Sequence, residues 1–97
     1  MNNWSVIATG GEAPGQVNAP VGLAVDTTGN LYVADLANYG RIQERDLQGN
    51  WSVLATYGYA PGQVSFPSGV AVDTAGNLYV ADSGNNRVQE YTPGGGP

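Results

Sequence analysis

The sequence predicts an all-β protein that contains two similar four-stranded antiparallel units. Hydrophobic residues make up 41% of the 97-residue chain and occur in short runs separated by polar turns. No segment combines helical periodicity with helix caps. The chain also repeats itself, because 25 of the 36 residues in 4–39 are identical to those found 47 positions later, in 51–86. A repeat of this length is typical of a supersecondary unit that buries its faces only against neighbouring units.

Four strands are expected in each repeat. The first strand is Gly69–Val72, made of small and β-branched residues, and the second is 78–81, made of strong β-formers. The third is Arg87–Tyr91, in which polar and apolar residues alternate. Polar turns of hairpin length join these strands. The fourth strand is 51–56, which follows Arg41–Arg45, the counterpart of the third strand in the first repeat.

Strands that become more polar from the first to the third describe a β-propeller blade, with small residues near the axis and polar residues near the rim. The segments PSGVAVD (67–73), GNLYVAD (76–82) and NNRVQ (85–89) resemble the NHL repeat, and 20–35 follows the same pattern. The first repeat departs by one additional residue before Arg41. Since NHL proteins typically have six blades, the resemblance implies that the chain forms one third of a ring.

We expect residues 1–97 to form a single two-blade segment, with the first repeat at about 4–50 and the second at about 51–97. The near-identity of the repeats and the three glycines at 94–96 are also typical of a fragment or of an engineered sequence.

The order of the strands predicts self-association. The sequence begins with a fourth strand, 4–9, that lacks its first three, and ends with three strands that lack a fourth. The expected assembly is a homotrimer that forms a six-bladed ring by inter-chain exchange of the outer strand, with an eight-bladed tetramer as the alternative. The residues expected to pair in this exchange are Trp4, Ser5, Val6, Ile7, Ala8 and Thr9 of one chain and Arg87, Val88, Gln89, Glu90 and Tyr91 of the next.

The charge distribution argues against nucleic-acid and membrane partners. The chain has three arginines, no lysine and eight acidic residues, which gives a net charge of -5. Binding to phosphates or to anionic lipids requires clustered basic residues. No apolar run approaches the length of a membrane span. We therefore expect neither kind of partner.

No catalytic residue is predicted. The chain lacks histidine, lysine and cysteine, so general bases and nucleophiles are limited to carboxylates and tyrosines. We expect a non-enzymatic module without cofactor or metal, and a metal-dependent hydrolase or lactonase is the least favoured alternative. The carboxylates at the starts of turns are expected to cap those turns rather than to bind calcium. They are Asp26, Asp35, Asp73 and Asp82.

The connection from a fourth strand to the next first strand differs most between the repeats. Loops on a rigid scaffold frequently carry binding sites. In this connection Tyr57 and Tyr59 stand where the first repeat has Gly10 and Glu12. The alternative function is therefore a propeller that binds a carbohydrate or a peptide. The candidate ligand-binding residues are Glu12, Tyr39, Tyr57 and Tyr59.

Overall fold

The computed structural model describes residues 2–93, and it contains strands and short 3-10 turns but no α-helix in that range. The all-β prediction is therefore confirmed. The strands are β1 (Thr9–Gly10), β2 (Gln16–Val17), β3 (Gly22–Val25), β4 (Leu31–Asp35), β5 (Arg41–Arg45), β6 (Trp51–Tyr57), β7 (Gln63–Val64), β8 (Gly69–Val72), β9 (Leu78–Asp82) and β10 (Arg87–Tyr91). Met1 and residues 94–97, which the predicted repeats include, lie outside the described residues.

The first blade is complete and has four strands, three from the first repeat and a fourth, β6, from the start of the second repeat. Strands β3, β4, β5 and β6 pair in this order and are antiparallel to one another. A β-bulge interrupts the pairing of β5 with β6 between Ile42 and Gln43. Strand β6 extends to Tyr57, one residue further than predicted, and its end pairs in parallel with β7.

Among the described residues, the second blade contains three strands in the order β8-β9-β10, so β10 is an edge strand there. Strand β9 extends to Asp82, one residue beyond the predicted end. Most of the expected fourth strand 4–9, the segment 4–8, has no strand partner within residues 2–93. Only its continuation, β1, pairs with β2. The described residues thus form one complete blade and one blade without a fourth strand.

The two blades pack face to face, and the hydrophobic core lies between them. The core residues from the first blade are Tyr32, Ala34 and Ile42, and those from the second repeat are Val64, Leu78 and Val80. All six are buried. Burial of apolar surface is the main favourable contribution to folding, so this shared face holds the two blades together.

The first strands of the two blades approach each other closely at Gly22. A Cβ atom added there would lie 3.0 Å from the Cα atom of Gly69 and 3.2 Å from the amide nitrogen of Val70. These neighbours are backbone atoms, which cannot move aside without shifting the whole strand. The absence of a side chain at position 22 therefore sets how closely the blades pack.

We expect Gly22→Ala to destabilise the protein by about 1–3 kcal/mol, because overpacking against backbone forces the strands apart. The measurement is chemical unfolding at one fixed protein concentration. The control is Gly10→Ala, since a Cβ there would lie 3.9 Å from the nearest atom, the carbonyl oxygen of Val17. Equal stability of Gly22→Ala and the wild type would contradict this account of the packing.

Candidate functional site

A buried ion pair lies at the end of β4 in the first repeat. The Nε atom of Arg41 donates to Oδ1 of Asp35 at 2.9 Å, and both side chains are almost fully buried. The side-chain amide of Gln43 donates to Oδ2 of the same carboxylate at 3.1 Å. Asp35 also accepts a hydrogen bond from the amide of Ala37 at 3.2 Å. This carboxylate therefore joins β5 to the turn after β4.

The same two β5 residues hold the connection between β1 and β2. The guanidinium of Arg41 donates to the carbonyl oxygens of Glu12 and Gln16, each at 2.6 Å. Gln43 donates to the Gln16 carbonyl at 2.8 Å and accepts from the amide of Gly15 at 2.9 Å. The connection is thereby fixed to the blade although it has little secondary structure of its own.

The second repeat contains an equivalent network. Arg87 and Gln89 donate to Asp82 at 2.9 and 3.2 Å, and Gln89 accepts from the amide of Gly62. Burial raises the pKa of Asp82, but hydrogen bonds from the Ser65 amide, from Asn85 and from Arg87 outweigh this effect and leave the pKa below its usual value. The carboxylate is therefore held ionised as the acceptor of the network.

The turns after the first strands are closed by aspartates. Oδ1 of Asp26 accepts from the amides of Thr28, Gly29 and Asn30 at 2.9–3.0 Å. Asp73 accepts from the amides of Ala75 and Asn77. The backbone hydrogen bond from Asn77 is the largest effect on the pKa of Asp73, and it lowers that pKa. These carboxylates cap their turns, whereas Asp35 and Asp82 have most of their contacts with β5, β10 and the connections.

A third turn of the same kind was not predicted. Asp46 accepts from the amides of Gln48 and Asn50, each at 2.9 Å, in the turn between β5 and β6. The sequence contains the signal, because 26–30, 46–50 and 73–77 all read D-x-x-G-N. In each turn the glycine has a positive φ of 87–101°, a conformation that glycine adopts at little cost.

Three of the four predicted ligand-binding residues line one groove. Glu12, Tyr39 and Tyr57 border an open cavity of about 510 Å³, together with Asn38 and Val53. Tyr59 does not line this groove. It lies between β6 and β7, and its side chain is 84% exposed. The structure thus brings the β1–β2 connection, the turn after β4 and strand β6 together at one site.

Aromatic side chains form one wall of this groove. The ring centroids of Tyr39 and Tyr57 lie 5.5 Å apart at an angle of 54°. Phe66 lies between β7 and β8, and its ring centroid is 6.0 Å from that of Tyr39. All three side chains are exposed to a substantial degree. The cluster therefore spans the junction of the two repeats and leaves aromatic surface in contact with solvent.

Within residues 2–93, the strand-exchange segments leave backbone without a strand partner in residues 4–8 and along one edge of β10. Trp4, at the start of the segment 4–8, is 98% exposed. Val88 on β10 is 72% exposed, and β10 pairs only with β9. Residues 2–93 contain no group of three or more acidic side chains that could hold a metal ion. Likewise, no helix within the described range is long and apolar enough to cross a membrane.

The antiparallel blades and the way in which they stack define a β-propeller-type interaction module. A family model described as the NHL repeat matches residues 18–44 and 65–91, which together make up more than half of the chain. The chain therefore belongs to the NHL-repeat family. No curated protein matches it.

We expect Asp35→Asn to destabilise the fold by about 3–5 kcal/mol, because it leaves the buried charge of Arg41 without its counter-ion. Chemical unfolding at fixed protein concentration measures the loss. Glu12→Gln is the control, since its exposed carboxylate makes no hydrogen bond within residues 2–93, and we expect a change within about 0.5 kcal/mol. An Asp35→Asn variant with wild-type stability would show that the ion pair contributes little.

The pKa of Glu44 is shifted upward, in the opposite direction from the pKa of Asp82. It lies opposite Tyr32 on β4 and Ser52 on β6. Burial raises the pKa of Glu44, and repulsion from Asp26 raises it further. The folded state therefore holds the Glu44 proton more tightly than the unfolded state does. The tighter binding of this proton stabilises the folded state at pH values below the ordinary pKa. The stabilisation is lost as the pH rises through the raised pKa.

We expect Glu44→Gln to raise the melting temperature at pH 7, because the neutral amide removes the cost of burying a charge. The advantage over the wild type should shrink as the pH falls through the raised pKa of Glu44, where the folded state takes up the proton, and should be lost completely below about 4.3, the ordinary pKa of glutamate. Thermal unfolding between pH 3 and pH 8 measures the effect, with Glu12→Gln as the control. A gain that does not change with pH would assign the effect to packing instead.

Proposed function

We propose that the chain is a non-enzymatic interaction module that closes with two further copies of itself into a six-bladed ring. Two observations carry the proposal: within residues 2–93, one edge of β10 has no neighbouring strand, and the segment 4–8 has no strand partner. Residues 4–6, 8 and 9 are identical to 51–53, 55 and 56 of β6, the strand that completes the first blade. An extended segment that adds to an exposed sheet edge gains main-chain hydrogen bonds and covers that edge.

The course of the free segment supports pairing with another copy. Its continuation β1 pairs with β2 at Thr9↔Gln16 and Gly10↔Val17. At the end of the complete blade, β6 pairs with β7 at the equivalent positions, Thr56↔Gln63 and Tyr57↔Val64. The segment 4–8 therefore approaches the first blade in the same way as β6 approaches the second blade. This is the orientation of a fourth strand that belongs to a preceding blade.

The outer faces of the two blades are also complementary. Ile42 is 1% exposed at the junction of the blades, whereas its counterpart Val88 is 72% exposed. Leu23 is 65% exposed, whereas its counterpart Val70 packs against the core. In a ring, the Val88 face of one chain meets the Leu23 face of the next, as the two blades meet within the chain. Such a head-to-tail interface closes when the rotation per chain divides a full turn.

An incomplete core lies beside the free edge. A cavity of about 90 Å³ is lined by the core residues Ile42 and Leu78 and by Glu90 and Tyr91 of β10. A strand paired with β10 would run past this cavity and exclude water from it. Burial of the apolar residues in 4–8 and around the cavity supplies the driving force for association.

Catalysis has no part in the proposal. The chain contains no histidine, lysine or cysteine, and the carboxylates of Asp35 and Asp82 are already paired with arginines. The net charge of -5 favours partners other than nucleic acids and anionic membranes. We propose that the partner at the blade edges is the chain itself.

The absolute mass in solution, measured by light scattering on a size-exclusion column, tests the assembly. Three chains per particle would support the six-bladed ring. Four chains would retain the strand exchange but replace the ring by one of eight blades. A stable monomer with segment 4–8 free would overturn the proposal.

A cysteine pair tests the register of the exchange, because the chain has no cysteine of its own. By analogy with Glu44↔Ser52, Glu90 of one chain should lie opposite Ser5 of the next. We expect the double variant Ser5→Cys/Glu90→Cys, treated with a short thiol cross-linker, to give covalent dimers and trimers on a denaturing gel.

The matched control for the cross-link is Glu44→Cys/Ser52→Cys, whose thiols lie opposite each other within one chain. The control should react internally and keep the mass of a monomer. If the Ser5/Glu90 variant also stays monomeric while its thiols react, the exchange does not occur in this register.

A further inference from the structure

We propose that the groove lined by Glu12, Tyr39 and Tyr57 binds a cationic side chain, an arginine presented by a peptide. This inference goes beyond self-assembly. All the residues that line the groove belong to one chain, so binding does not depend on closure of the ring.

The electrostatics of the groove favour a positively charged ligand. Arg41 is the cation that lines it, but its charge is balanced by Asp35 and its Nη atoms donate to the carbonyls of Glu12 and Gln16. The carboxylate of Glu12 has no hydrogen-bond or ion-pair partner within residues 2–93, and its backbone is held in place by Arg41. The groove therefore presents one uncompensated negative charge on a fixed connection.

The aromatic wall suits an arginine in particular. A cation close to the face of a tyrosine is attracted by the negative face of the ring. Tyr39 and Tyr57 are tilted by 54° and partly exposed, and Phe66 supports Tyr39 from the side of the second repeat. A planar guanidinium can stack on such a ring and pair with a carboxylate in bidentate geometry, which an ammonium group cannot do.

The backbone of the turn after β4 is strained where it presents Tyr39. Asn38 and Tyr39 have positive φ values of 52° and 72°, and Gly40 follows with 134°. The equivalent turn of the second repeat is one residue shorter and contains one such residue, Asn86. A left-handed conformation is uncommon for a bulky residue. Here it is maintained by a hydrogen bond from the Phe66 amide to the Tyr39 carbonyl at 2.9 Å.

The three residues proposed to contact the ligand differ between the two repeats, whereas several other residues of the groove do not. In the other copy of the repeat, the equivalent of Glu12 is Tyr59. The equivalents of Tyr39 and Tyr57 are Asn86 and Gly10. Five other lining residues are instead identical in the two repeats, among them Pro14, Arg41 and Thr56, whereas Ala37 is replaced by Gly84 and Gly40 has no counterpart. A blade can therefore be built without the carboxylate and the two tyrosines, and these three residues occur together in one groove of the chain.

The test is a titration of the whole chain with the peptide acetyl-Gly-Ser-Arg-Ser-Gly-amide, followed by NMR of the backbone amides. We expect saturable shifts at Glu12, Tyr39 and Tyr57, and affinity that weakens as salt is added. The peptide with citrulline in place of arginine has the same shape without the charge and should bind at least tenfold more weakly. Equal affinity for the two peptides would overturn the proposal.

Three variants complete the test. Glu12→Gln and Tyr39→Asn should each weaken binding of the arginine peptide about tenfold, and asparagine tolerates the left-handed conformation at position 39. Tyr59→Phe lies outside the groove and should bind as the wild type does. The melting temperature of each variant confirms that it is folded. Binding that is unaffected by Glu12→Gln, or a neutral methyl glycoside that binds the groove more tightly than the peptide, would overturn the proposal.

The mass of each sample, measured in parallel, keeps the two proposals distinguishable. A trimer that does not bind the arginine peptide overturns the ligand site alone. A monomer that binds it overturns the ring alone, since the groove is complete within one chain.

Discussion

A blade with apolar side chains on both faces needs a neighbour on each side. In this chain the junction between the two repeats satisfies that requirement once, and the six core residues lie there. The two outer faces and the edge of β10 have no cover within the described residues. The stacking of the blades, the free N-terminal segment and the proposal of a ring all depend on this constraint.

Nearly identical segments consequently have different environments. Ile42 and Val88 occupy equivalent positions, yet the first is buried between blades and the second is in solvent. Leu23 and Val70 differ in the reverse direction. These differences arise from the position of each repeat in the chain and not from its residues. In a ring of chains, Ile42 and Val88 would have equivalent surroundings, and so would Leu23 and Val70.

The ion-pair networks give the connections a fixed course. Two successive β5 side chains on one face, Arg41 and Gln43, bind the backbone of the β1–β2 connection, and Asp35 orients both. Because these contacts are made to backbone carbonyls and amides, the side chains of the connection are free to vary between the repeats. Variation on a fixed backbone is what a binding loop requires, and Glu12 of the proposed groove lies on such a connection.

The sequence by itself determined the repeat, the strands and the turns, because these depend on local propensity, on alternation and on short patterns such as D-x-x-G-N. It also indicated three residues of the groove, since they lie where the two copies differ. Only the tertiary structure decided that Asp35 and Asp82 are the centres of buried networks, because their arginine and glutamine partners are reached across paired strands. It also decided that Tyr59 lies apart from the groove and that Gly22 touches the next blade. Such contacts join residues distant in sequence, and their geometry follows from the stacking of blades, which no local pattern encodes.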